Sequence, residues 1–183
     1  MRVRQLIAPS LAVLALTGAS SATASSGGAG VTGSSAHSTA AHPEISGRTA
    51  KIIHGVGYAP SLAPMAVKKA IWAGNKIRKK PYVWGGGHGS FNDRGYDCSG
   101  SVSYVMHAAG LLSSPLDSTG FESWGDPGTG QWITVYANAG HAYAIIAGLR
   151  FDTSGDSSGE TGPRWHKDVR SASGYTIRHP AGF

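Results

Sequence analysis

Residues 82–100 read YVWGGGHGSFNDRGYDCSG and hold Cys98, the one cysteine in a chain of 183 residues. Beyond it, apolar residues recur at Val102, Val105, Met106, Ala109 and Leu112, the three-and-four spacing of a helix with one buried face. Cys98 therefore falls at a helix N-terminus, with Asp97 placed as its cap. The unpaired amides and the positive dipole end of a helix start favour a thiolate over a thiol. Gly85, Gly86, Gly87, Gly89 and Gly95 let the approaching loop bend sharply and keep the sulfur reachable. A lone cysteine is most often a small buried hydrophobe. A helix start behind a glycine loop argues instead for a reactive thiol.

The N-terminus opens with basic Met-Arg-Val-Arg, followed by an apolar run from Leu6 to Thr17 and the small-residue pattern Ala22-Thr23-Ala24. This predicts a signal peptide over residues 1–24, because the apolar run is shorter than the roughly 20 residues that span a bilayer. The expectation is a secreted mature chain with no membrane span. Residues 25–59 read as a linker rich in Ser, Gly and Ala, ending in a lead-in from Thr49 to Ala59 of short β-like or irregular character. Residues 60–183 read as one domain. An exported chain with a single cysteine cannot close an internal disulfide, so its thiol pairs with another chain or reacts. The formal net charge of +6 suits work near anionic polymers. Lys68, Lys69, Lys76, Arg78, Lys79 and Lys80 lack interleaved aromatics and read as a solvated helix face and end, which argues against a nucleic-acid partner.

Ala66, Val67, Ala70, Ile71, Gly74 and Ile77 form the stripe of a helix that starts after Pro64 and ends near Lys80. Residues 113–130 are loop-like. Strands are predicted over 132–136, 141–147 and 149–153, with further strands at Trp165 and over 174–179. Helices first and antiparallel strands after predict an α+β domain, its N-terminal helices packed on an antiparallel sheet.

A nucleophilic thiol needs a base within hydrogen-bond reach, and the base needs a group to orient it. Of the 8 histidines, His141 begins a strand straight after the turn Asn138-Ala139-Gly140, at the rim of the sheet. His88, in the glycine loop, is the second candidate, and His107 reads as a helix-surface residue. Asp152 or Thr153 can lie beside His141 in a hairpin. A carboxylate holds an imidazolium better than a hydroxyl, which favours Asp152, but a one-residue change of register exchanges the two. The amides of Cys98 and Ser99 are candidates for an oxyanion hole, and Tyr82 can add a hydroxyl. The chain has no H-x-x-x-H pair and no HExxH helix, so no metal is expected.

Tyr82-Val83-Trp84-Gly85-Gly86, then Asp97-Cys98-Ser99-Gly100, then Gly140-His141 before an apolar strand, resemble the NlpC family of cell-wall cysteine peptidases over about residues 64–155. The resemblance implies a compact papain-like fold and hydrolysis of peptide bonds in peptidoglycan stems, typically between D-glutamate and diaminopimelate or lysine, with no cofactor. It implies Cys98 as nucleophile, His141 as base and Tyr82 near the thiol. Anionic cell-wall polymers are then natural further partners. Where many members carry a histidine as the third polar residue, no histidine lies between His141 and His166 here, so Asp152 or Thr153 takes that place. Tyr143, where small residues are usual, is expected to narrow the site. Two rival readings remain: a non-catalytic wall-binding module on the same scaffold, and a related amidase or acyltransferase.

Overall fold

The computed structural model describes residues 42–155 and 158–183. The signal peptide expected over 1–24, and the linker as far as residue 41, lie outside the described residues. The described part is a mixed α+β arrangement of three helices and two sheets.

It begins with sheet. Strand β1 (Glu44–Ile45) runs parallel to β3 (Val56–Pro60), and β2 (Lys51–Ile53) pairs antiparallel with β3 across the turn His54–Gly55, where both residues have positive φ. Composition alone starts the domain at residue 60 and leaves 42–48 in the linker. Instead, Trp72 donates its Nε1–H to the Pro43 carbonyl at 3.2 Å and Lys68 pairs with Glu44 at 2.9 Å. Those partners lie 24 to 29 positions away, beyond any local pattern.

Helix α1 (Met65–Ile77) follows Pro64 and buries the predicted stripe of Val67, Ala70, Ile71, Gly74 and Ile77. A Cβ on Gly74 would lie 2.5 Å from the Trp165 ring, so glycine lets the helix and the indole touch. The next residue, Asn75, joins three elements. Its amide oxygen accepts from Gly57 N–H at 2.8 Å and from Trp165 Nε1–H at 2.9 Å, while its NH₂ donates to the Gly57 carbonyl at 2.8 Å.

Helix α2 (Cys98–Ala108) is central, with Val102, Val105 and Met106 fully buried. Asp97 caps it, accepting from Gly100 N–H at 2.7 Å. Ser103 Oγ accepts from Leu116 N–H at 3.0 Å and donates to its carbonyl at 3.1 Å, pinning the following segment to the helix. That segment, expected to be loop, contains the short helix α3 (Ser118–Glu122) and strand β4 (Asp126–Pro127).

The larger sheet adds β5 (Ile133–Asn138), β6 (His141–Ile146), β7 (Leu149–Asp152), β8 (Arg164–His166) and β9 (Thr176–His179), in spatial order β4-β9-β5-β6-β7-β8 and wholly antiparallel. The last strand in the sequence therefore lies inside the sheet, beside β5. Strand alternation and register divide the side chains between two faces. Val135, Ala137, Ala142, Ala144, Phe151 and Trp165 share the face packed on the helices, and all are buried. Tyr136, Tyr143, Arg150, Asp152 and His166 share the other. The alanines of β6 are short enough for α2 to approach the strand.

Replacing Asn75 by alanine leaves the Gly57 amide and carbonyl and the indole N–H without their partner. The Asn75→Ala variant is expected to lose about 2 kcal/mol of stability, read as a lower midpoint with unchanged slope in urea unfolding.

Candidate active site

The site forms where the head of α2 meets the start of β6. Across the tight turn Ala139–Gly140, Asn138 Oδ1 accepts from Gly140 N–H at 3.0 Å and His141 N–H at 2.9 Å, which fixes the first residues of β6. His141 and the Ala142 backbone N–H stand close enough to the Cys98 sulfur for both to pull its pKa down. His141 Nε2 lies 2.8 Å from Asp152 Oδ1. With Nε2 engaged by the carboxylate, Nδ1 is the ring nitrogen left for the thiol.

Asp152 is fully buried and every lone pair has a use. Oδ1 also accepts from Ser154 N–H at 3.2 Å, and Oδ2 accepts from Arg150 Nη1 at 2.8 Å and Arg170 Nη1 at 3.1 Å. Arg150 is itself buried and donates to the carbonyls of Asp168, Ser154 and Gly155 at 3.0–3.3 Å. Neither arginine follows from the motif reading. Arg150 had a signal: a charge on a strand between Leu149 and Phe151, two residues before Asp152, occupies the same face as that carboxylate and must be paired if buried.

Burial by itself raises the Cys98 pKa, but the His141 hydrogen bond, the Ala142 amide and the His141 charge outweigh it, so the thiol ends below its ordinary value. Burial likewise works against a charged His141. The Asp152 and Cys98 hydrogen bonds and charges overcome it and push the imidazole up to about 9. For Asp152, burial raises the pKa, while His141, Arg150 and Arg170 pull it below the usual carboxylate range. The three groups are set for a thiolate, an imidazolium and a carboxylate.

Thr153, the alternative third residue, is buried one position along with its Oγ1 unpaired among the described residues, so it makes no hydrogen bond to His141. His88 is engaged by the helix cap. Its Nε2 lies 3.0 Å from Asp97 Oδ1 and 3.2 Å from Ser99 Oγ, so the Ser99 hydroxyl belongs to the cap cluster. The cap also accepts from Gly85 N–H at 3.1 Å and so ties the glycine loop to the helix. A Cβ on Gly100 would collide with the Gly86 carbonyl. Gly100 N–H goes to Asp97, while the Cys98 and Ser99 amides have no acceptor among the described residues. Tyr82 stands near enough that, after burial, the charges of Cys98 and Asp97 raise its phenol pKa. His107 stacks on Phe91 at 3.8 Å on the surface of α2. His166 is buried in β8, 3.3 Å from the Asp152 carbonyl.

A cleft of about 300 Å³ opens onto Cys98 between Trp84, His88 and Asp97 on one side, Asp117 to Thr119 on a second, and Ala139–Gly140 on a third. Residues 113–130 thus supply one wall. Tyr143, expected to narrow the site, does not line the cleft. It lies fully buried on the far face, stacked on Tyr136 at 4.7 Å. A larger cleft of about 630 Å³, at the C-terminal end of α1 among Arg78, Lys79, Lys80 and Trp165, has neither cysteine nor serine in its lining. Among the described residues, no helix is long and apolar enough to cross a membrane, and no group of three His, Cys, Asp or Glu is placed to hold a metal ion. No protein-family model matches the chain, and no curated protein matches it significantly.

The thiol pKa has a direct readout. Alkylation of Cys98 by iodoacetamide is expected to stay fast well below the pH at which an ordinary thiol ionises, and His141→Ala should return the profile to the ordinary one. Equal profiles for the two proteins would count against the ion pair.

Proposed function

We propose that the protein is a secreted cysteine hydrolase of papain-like, NlpC-family type that cleaves amide bonds in peptidoglycan stem peptides, γ-D-glutamyl to diaminopimelate or lysine bonds foremost. The observation that carries this reading is the arrangement of a thiol at a helix head beside His141, whose Nε2 is held at 2.8 Å by a buried carboxylate. A structural cysteine needs neither the base nor the carboxylate behind it. The open cleft over the sulfur and the motif pair YVWGG and DCSG support the same conclusion.

The chemistry runs through a thioester. The Cys98 thiolate attacks the scissile carbonyl carbon, a C–S bond forms, and the carbonyl electrons move to oxygen, where the Cys98 and Ser99 amides receive the negative charge. The tetrahedral intermediate collapses, the C–N bond breaks, and the leaving amine takes the proton from the His141 imidazolium. His141, now neutral, removes a proton from water, the hydroxide attacks the thioester, and the thiolate leaves as the acid product forms. Asp152 keeps the ring oriented throughout and steadies its charged form. Export through residues 1–24 puts the enzyme on the wall side of the membrane, and loss of Arg2 and Arg4 with that segment takes the formal net charge from +6 to +4, still basic enough to favour residence on an anionic wall.

Cys98→Ala is expected to abolish release of stem-peptide fragments from purified peptidoglycan while circular dichroism shows an unchanged fold; retained cleavage would contradict the mechanism. Asp152→Asn should lower kcat by about a hundredfold or more, through loss of ring orientation and of imidazolium support. Thr153→Val should stay within a few fold of the parent. A parent that binds the wall but never cleaves it would point to the binding-module reading.

A further inference from the structure

Arg170 lies on the segment between β8 and β9, far in sequence from the YVWGG and DCSG motifs, yet it reaches the center of the site. Its Nη1 is 3.1 Å from Asp152 Oδ2, 3.2 Å from Ser154 Oγ and 3.2 Å from His141 Nε2. Its guanidinium carbon stands over the Tyr143 and Tyr175 rings at 5.7 and 5.8 Å, which fixes its height above the sheet.

These distances set a conflict. An arginine only donates hydrogen bonds. It can donate to Nε2 when that nitrogen is bare, but it faces a second positively charged N–H when His141 is an imidazolium bonded to Asp152. The carboxylate cannot resolve this, since Arg150 already matches its single charge from the buried side at 2.8 Å. The groups facing His141 are Cys98, with Asp97 behind it, from α2; Asp152 from β7; Tyr143 on its own strand; and Tyr175 and Arg170 from the segment around β9. Arg170 is thus the cation in direct contact with the ring among the described residues, and Arg150 reaches His141 only through Asp152.

We infer that Arg170 is a positioning residue that limits the charge on His141, sharing the Asp152 carboxylate with the ring and opposing a proton on Nε2. Two effects act in one direction. The guanidinium repels the imidazolium directly, and it draws Asp152 Oδ2 away from serving the ring. The imidazolium consequently gives up its proton more readily, which is what the acid step, protonation of the leaving amine, requires. That consequence for turnover rests on the hydrolase reading; the contest for Asp152 and Nε2 rests on geometry alone.

The test is the pH titration of the His141 ring by NMR in the parent protein, Arg170→Gln and Arg170→Lys, with the resonance assigned by its absence from His141→Asn. In the parent the midpoint is expected at about 9. Removing the charge in Arg170→Gln should raise it by about one pH unit, the scale of a like charge in close contact. Arg170→Lys, which keeps the charge, should remain near the parent. An unmoved or lowered midpoint in Arg170→Gln overturns the inference, and so does an Arg170→Lys midpoint that rises as far. A purely structural role would reduce hydrolysis at every pH and leave the midpoint in place. Peptidoglycan hydrolysis on the same samples judges the catalytic reading separately, because a parent without turnover can still show the midpoint shift.

Discussion

The approach of the α2 head to the first residues of β6 is the constraint on which the site depends. Both His141 and the Ala142 amide act on the one sulfur and lower its pKa, so the helix head and the strand start must lie close together. Small residues make this possible on each side. Ala142 and Ala144 present little bulk to α2, and Gly100 and Gly86 let the glycine loop lie against the first helical turn. Asp97 locks the junction by capping α2 and holding Gly85 at once.

Behind the ring lies a buried charge cluster. A carboxylate, two guanidiniums and an imidazole in contact cost desolvation free energy that only complete hydrogen bonding offsets. Completeness is visible: Arg150 reaches three carbonyls as well as Asp152, and Ser154 adds an N–H to the carboxylate. Removing one member of such a cluster typically costs about 3–5 kcal/mol, because the remaining charges stay buried and unmatched. The same rigidity holds the ring in one orientation for chemistry. The far face of the sheet is therefore polar by design of its register, while the near face supplies the core.

Much of the site could be read from residue order, because its main signals are local. A cap before an apolar helical stripe placed Cys98, an Asn-Ala-Gly turn placed His141 at a strand start, and strand alternation set Asp152 against Thr153, with only a register question between them. The parts that were not legible are those made by distant partners. β1 is two residues long and pairs in parallel with β3, and β9 enters the sheet beside β5 rather than at the end of the strand order. Nothing in Glu44–Ile45 announces a strand without Ala59 and Pro60 beside it. Arg170 was hidden for the same reason, since its partners lie 16 to 29 positions earlier in the chain. His88 shows the limit of motif proximity: it lies in the loop beside the thiol, yet its partners are Asp97 and Ser99.

The most direct test of Cys98 as a nucleophile is intact-protein mass spectrometry during turnover of purified stem peptides, quenched in acid. The account predicts a transient acyl adduct confined to Cys98, released by hydroxylamine as a thioester should be, and absent from Cys98→Ala. Stem-peptide cleavage that proceeds with no adduct on Cys98, or with an adduct on another residue, would contradict it.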